Sequence, residues 1–256
     1  MVYACRGSTV RLTAALMAAT LLTACANAQA SGGLQARHSS PVAATSAVPA
    51  SARATEPLTT PAPLFDPGMD LRAGAVAIPL ELQLPSLRLT APVLGVGLNS
   101  KNVMDTPMGS AGDPVWQKVF WYRGSGIPGD ATTATIAGHV DDVLGRPAIF
   151  ARLKDLRVGD TVTVRDTRTG LAVDFLVTRT ITYTLKQTVD PAVLAEIYGS
   201  GPVTGQGPQP SPDGLAHLTL ITCTGNWVGR IGTFDHRLAV YAVGIASPST
   251  PDRSRS

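Results

Sequence analysis

Between residues 77 and 246 one pattern recurs: short runs of β-branched and apolar residues, alternating with polar ones and separated by turn signals. The runs are Ile78–Leu84, Ala91–Val96, Thr133–Ala137, Thr161–Arg165, Ala172–Leu185, Leu218–Thr222 and Leu238–Ile245. A period of two puts alternate side chains on opposite faces of a strand. Many short strands with few helices close into a barrel or pack as a sandwich. Asp166-Thr-Arg-Thr-Gly170 reads as a hairpin loop, with glycine where the backbone needs positive φ. Two short helices are expected. One covers Pro147–Leu153; the other has Asp190 as its N-cap, Pro191 at its first position, and runs to Tyr198. Residues 199–214, GSGPVTGQGPQPSPDG, read as a surface loop. A region of about 170 residues is enough for one hydrophobic core.

The region upstream has a different character. Arg6 and Arg11 precede an apolar run, Leu12 to Leu22, which is 11 residues long. That is short of the about 20 residues needed to span a bilayer, and it fits the apolar core of a signal peptide over residues 1–24. Leu22-Thr23-Ala24-Cys25 resembles the lipobox of bacterial lipoproteins, in which the cysteine is lipidated after cleavage. Two acyl chains on Cys25 would hold the chain at the extracytoplasmic face of the cell membrane. Simple secretion, with a small-residue cleavage site near Ala24 or Ala28, and retention as an uncleaved anchor are the competing readings. Residues 25–76 are rich in Ala, Pro, Ser and Thr and poor in aromatics, so they read as a disordered, extended tether. Residues 247–256 read as a disordered tail.

Composition excludes several classes. A net charge of +3 does not indicate a nucleic-acid partner. A mean hydropathy of +0.15 with no long apolar run excludes a polytopic membrane protein. Three cysteines are too few for a disulfide scaffold. The four histidines are scattered and show no metal-ligand spacing, so neither a metal nor any other cofactor is expected. Cleavage before Cys25 would remove Cys5 and modify Cys25, leaving Cys223 as a free thiol.

Three residues at expected strand ends carry usable chemistry: Cys223 after Leu218–Thr222, His139 after Thr133–Ala137, and Arg237 before Leu238–Ile245. A thiolate is a strong nucleophile and forms a thioester that amines and water attack. Histidine can give a proton to a leaving amine, and arginine can stabilise an oxyanion. No acidic partner is evident beside His139; Asp141 and Asp142 follow it closely in sequence.

The segments Thr219-Leu220-Ile221-Thr222-Cys223 and Ala137-Gly138-His139-Val140, with Arg237 four positions before Tyr241, resemble the signature segments of sortases in order and spacing. The stretch GHVDDVLGRPAIFARLKDLRVGDTVTV is similar to class F sortases of actinobacteria. Near the last strand the chain reads Asp235-His236-Arg237-Leu238, closer to other sortase classes, and Arg230 is a second candidate for the arginine role. The resemblance spans about residues 77–246 and implies an all-β fold with short helices, the eight-stranded sortase barrel. It implies cleavage of an LPXTG-like C-terminal sorting signal on secreted proteins, through a thioester on Cys223. The acyl group then passes to an amine of a peptidoglycan precursor or a pilin. It assigns Cys223 as nucleophile, His139 as general acid and base, Arg237 as oxyanion or substrate holder, and Thr222 to the site wall. Trp227, close after Cys223, is a candidate substrate-groove residue. A non-catalytic surface lipoprotein on the same barrel, and another wall-directed thiol enzyme, are the alternatives. The wide sequence separation of His139 and Cys223 argues against a Ser-His-Gly-Cys transpeptidase.

Overall fold

The computed structural model describes residues 70–199 and 207–245. The signal-peptide and tail expectations, the tether up to residue 69 and most of the expected loop tip therefore lie outside the described residues; the end of the expected tether is instead built into the domain, with Leu71 accepting from Leu98 N–H at 2.7 Å and β1 starting at Val76. Eight strands form a closed barrel: β1 (Val76–Leu84), β2 (Leu89–Val96), β3 (Val119–Tyr122), β4 (Thr133–Gly138), β5 (Thr161–Asp166), β6 (Ala172–Thr184), β7 (His217–Val228) and β8 (Thr233–Ile245). Their order around the barrel is β1-β2-β3-β4-β7-β8-β6-β5, with β5 pairing back onto β1. The pairs β2/β3 and β4/β7 are parallel and the others antiparallel. A parallel pair needs a long crossover, and the β6–β7 connection carries the helix α1 (Pro191–Tyr198). No helix among the described residues is long and apolar enough to cross a membrane.

The expected all-β barrel is present, with corrections in detail. β3 was not expected from the alternation. Its four residues are all buried because both faces are covered: Val119 and Trp121 point inward, Phe120 and Tyr122 outward. A strand buried on both faces carries no alternation. The helix expected over Pro147–Leu153 is absent; turns occupy the region and only Leu153–Asp155 forms a 3-10 turn. Its backbone donors go elsewhere: Ala148 N–H to Val140, Ile149 N–H to Trp116 and Phe150 N–H to His139. β7 and β8 also run further than expected, meeting in a hairpin with a register shift between Thr224 and Trp227. Cys223 and Arg237 consequently lie within strands rather than at their ends.

The second helix forms as expected. Asp190 caps it by accepting from Ala192 N–H at 2.8 Å. Gly199 ends it at φ 73°, where a Cβ would be strained. Leu194, Ile197 and Tyr198 bury its inner face on the sheet.

Alternation along the strands creates two cores. The barrel interior holds Leu82, Val93, Trp121, Ile136, Phe175 and Leu220 among others. A second cluster on the outer face of β3, β4, β7 and β8 holds Phe120, Ala137, Ile221, Cys223, Ala239 and Tyr241, covered by α1 and by the β2–β3 connection. Phe175 is fully buried in the interior. Replacing it, Phe175→Ala, is expected to lower unfolding stability by about 3–5 kcal/mol, read as a lower urea midpoint at unchanged slope.

Candidate active site

The strand registers bring the three sequence-picked residues together. β4 and β7 pair in parallel from Thr133↔His217 to Ala137↔Ile221, a constant offset of 84 residues. β4 ends at Gly138 with His139 directly after it, and Cys223 directly follows Thr222 on β7. On the other side, Cys223 is the direct antiparallel partner of Arg237. Cys223 belongs to the outer-face cluster, and His139 packs on Trp116 and Phe120 of the same cluster.

One side chain fixes this alignment. The Thr222 hydroxyl donates to the carbonyl of Gly138 at 2.7 Å, so the residue before the cysteine is tied to the residue before the histidine. Thr222 is buried, and its hydroxyl forms this strand-to-strand link. Gly138 must be glycine, because a Cβ there would come within 2.5 Å of the Phe150 ring.

His139 is 2% exposed. Its Nε2 lies 2.9 Å from the carbonyl oxygen of Pro107. Its ring packs against Trp116 with centroids 4.8 Å apart and edge-on to Phe120 at 5.3 Å. Burial in this aromatic surround disfavours the charged imidazolium and lowers the pKa of His139, an effect the Pro107 bond partly offsets.

Arg237 is 1% exposed and held by its own hairpin. One terminal nitrogen donates to the carbonyls of Phe234 and His236, each at 2.9 Å, and the other to the Thr233 hydroxyl at 3.0 Å. Asp235 is engaged elsewhere, with His236 at 2.6 Å and the Asn226 N–H at 2.8 Å. Arg230, the second candidate, sits exposed at the hairpin tip. Trp227 lies further along the same hairpin, half-buried and edge-on to Phe234 at 5.5 Å. Asp142, one of the two acids close after His139, is bound to the Arg146 guanidinium at 2.6 Å.

Cys223 is fully buried and disulfide-bonded in this structure. The other cysteines, Cys5 and Cys25, lie outside the described residues. Only a thiolate attacks a carbonyl, so chemistry at this sulfur requires the reduced form. Among the described residues no cluster of His, Cys, Asp and Glu is arranged to hold a metal ion.

Sequence reasoning missed Pro107, Trp116 and Phe120 as the surround of His139. Pro107 acts through a main-chain oxygen, which no residue-type pattern reveals. Trp116 and Phe120 carried no signal beyond their size.

An eight-stranded barrel with cysteine, histidine and arginine on adjacent strand rows defines a thiol site of a particular architecture. Residues 82–244 match the sortase domain, and the chain belongs to the sortase family. Among curated proteins none matches. The structure is similar to sortase A from Corynebacterium diphtheriae in a lid-mutant form, at 20% identity, covering 70% of this chain and 76% of that one with a TM-score of 0.45. Sortase C-1 from Actinomyces oris matches at 20% identity, covering 66% and 74% with a TM-score of 0.43. Sortase C1 of Streptococcus agalactiae, in a complex with MTSET, matches at 19% identity, covering 67% and 71% with a TM-score of 0.44.

Two measurements check this geometry. Thr222→Val leaves the buried Gly138 carbonyl without its donor and is expected to cost about 1–3 kcal/mol, with Thr222→Ser recovering most of it. The second is pH-dependent. With its folded pKa below the unfolded value of about 6.5, His139 binds fewer protons folded than unfolded. Stability therefore falls as pH drops below about 6.5, until the folded pKa is passed. Urea midpoints at pH 7 and pH 5 should differ less in His139→Gln than in the parent chain.

Proposed function

We propose that the chain is a cysteine transpeptidase that cleaves an LPXTG-like C-terminal sorting signal of exported proteins and transfers the acyl group to an amine. The carrying observation is that Cys223 pairs with Arg237 across β7/β8 while Thr222, just before Cys223, is tied to Gly138, just before His139. The reduced Cys223 thiolate adds to the threonine carbonyl of the signal. The tetrahedral intermediate collapses by breaking the C–N bond, His139 protonates the departing glycine-side amine, and a thioester remains on Sγ. An incoming amine then loses its proton to His139 as the C–S bond breaks. Arg237, the cross-strand partner of Cys223, favours the thiolate and stabilises the oxyanion. The carbonyls of Phe234 and His236 keep that guanidinium in place.

The acceptor we assign is an amine of a peptidoglycan precursor or a pilin, and Trp227 is our candidate for a wall of the substrate groove. The segment GHVDDVLGRPAIF supports placing the chain nearest class F. We further propose that residues 1–24 are a lipoprotein signal, that lipidated Cys25 anchors the chain at the outer face of the membrane, and that the segment from Cys25 to residue 69 forms the tether. Covalent chemistry links this processing to the site. Cleavage before Cys25 removes Cys5, and acylation commits the Cys25 sulfur to a thioether. Cys223 is then the one thiol left in the mature chain.

The test incubates the chain, with reductant, with an LPXTG-type peptide and triglycine, and follows products by mass spectrometry. Cleavage between Thr and Gly with transfer to triglycine is expected, and its loss in Cys223→Ala. A folded, reduced chain that cleaves no peptide of a randomised pool and traps no thioester on Cys223 would overturn the proposal.

A further inference from the structure

The His139 ring packs against Trp116 and edge-on to Phe120, and its Nε2 meets the Pro107 carbonyl. A carbonyl oxygen only accepts, so the 2.9 Å contact to Pro107 requires the hydrogen to be on Nε2. In the neutral ring the basic nitrogen is then Nδ1.

The segment that brings Pro107 there is itself built. The Asn99 side chain accepts from the N–H of Lys101 at 2.9 Å and of Val103 at 3.2 Å, forming a turn. Asp105 N–H donates to Gly97 at 2.9 Å, and Met104 is 2% exposed in the outer core. After Pro107, the Trp116 indole N–H donates to Ser110 at 2.9 Å, closing the segment, while the same indole packs on the His139 ring. Proline fixes its own φ and restricts the residue before it, so the carbonyl is presented by a stiffened backbone.

We propose that Pro107 is a positioning residue of the reaction: its main-chain carbonyl holds His139 as the Nε2–H tautomer, so that Nδ1 exchanges the protons. The inference rests on the transpeptidase reading above. Nδ1 takes the proton of the Cys223 thiol, returns it to the leaving amine as the C–N bond breaks, and later takes one from the acceptor amine as the C–S bond breaks. The carbonyl does for His139 what a buried carboxylate does in a Ser-His-Asp triad, orienting the ring and selecting the tautomer. Being neutral, it does so without a full charge to stabilise the imidazolium, in keeping with a ring whose charged form burial disfavours.

The test has two arms on the full chain with Cys223 reduced. Long-range 1H–15N NMR, with the ring signals assigned by His139→Gln, is expected to show the neutral ring protonated at Nε2. An Nδ1–H tautomer overturns the proposal, and since no substrate is present this outcome is independent of whether the chain is a transpeptidase. In the second arm, Pro107→Gly frees the carbonyl, while Pro107→Ala keeps a more restricted backbone. Pro107→Gly is expected to lower kcat by about 10- to 100-fold with KM changed less than about twofold, and Pro107→Ala to keep most of the activity. Losing the carbonyl bond should also move the histidine limb of the kcat–pH profile to lower pH. A folded Pro107→Gly chain with unchanged kcat and unchanged limb overturns the proposal; if it does not fold, the tautomer measurement decides.

Discussion

The parallel pairing of β4 with β7 is the constraint on which the site depends. A parallel ladder slipped by one residue would turn His139 and Cys223 to opposite faces, since side chains alternate with period two. The hydrophobic pattern sets the register coarsely, by sending Ile136, Leu218 and Leu220 inward and Ala137, Ile221 and Cys223 outward. The Thr222 hydroxyl on the Gly138 carbonyl sets it locally, one residue from each reacting side chain. Valine would satisfy the packing and the strand propensity at position 222 equally well, but it could not donate. The hydroxyl therefore adds to packing what packing cannot specify, the alignment of one strand end against another.

Burial of the chemistry follows from the same alternation. The outer face of β4, β7 and β8 is covered, so a histidine and an arginine are both nearly without solvent exposure. Desolvation pushes His139 toward its neutral form, which suits a group that must first accept a proton. Arginine does not lose its charge in a protein, so Arg237 is accommodated by carbonyl and hydroxyl acceptors from its own hairpin. The register shift between Thr224 and Trp227 lets that hairpin bend, and the Asp235 carboxylate closes the bend by accepting from Asn226. A bulge beside a reactive residue that re-aims a neighbouring side chain is a recurrent device in sheets.

What the sequence made legible was what periodicity and local capping encode. Seven strands, the Asp190 cap, Pro191 and Gly199 follow from rules that involve only neighbouring residues. β3 escaped because burial on both faces erases alternation, and the turn over residues 147–153 because its N–H groups are claimed by Val140, Trp116 and His139 from other segments. The nucleophile, histidine and arginine could be picked by residue type and family resemblance. Thr222 was picked by its place in the motif, and its bond to the Gly138 carbonyl is a contact that residue type does not reveal. Pro107 had no signal at all, because the group that acts is a main-chain oxygen, identical in every residue, and only the fold says which one faces the ring.

The division of labour in the site extends this point. Cys223 and Arg237 lie on adjacent strands and His139 directly follows the end of β4, positions that a rigid scaffold holds. The groups that orient them come largely from main-chain oxygens: Gly138 for the strand alignment, Pro107 for the imidazole, Phe234 and His236 for the guanidinium. Main-chain acceptors bring no titratable charge into a desolvated site, so they orient the histidine and the arginine without changing their protonation through a second ionisation. A carboxylate in the place of the Pro107 carbonyl would raise the histidine pKa strongly and draw the Arg237 charge toward itself. Orientation by neutral oxygens leaves Arg237 as a fixed positive charge on the residue paired with Cys223 across β7 and β8.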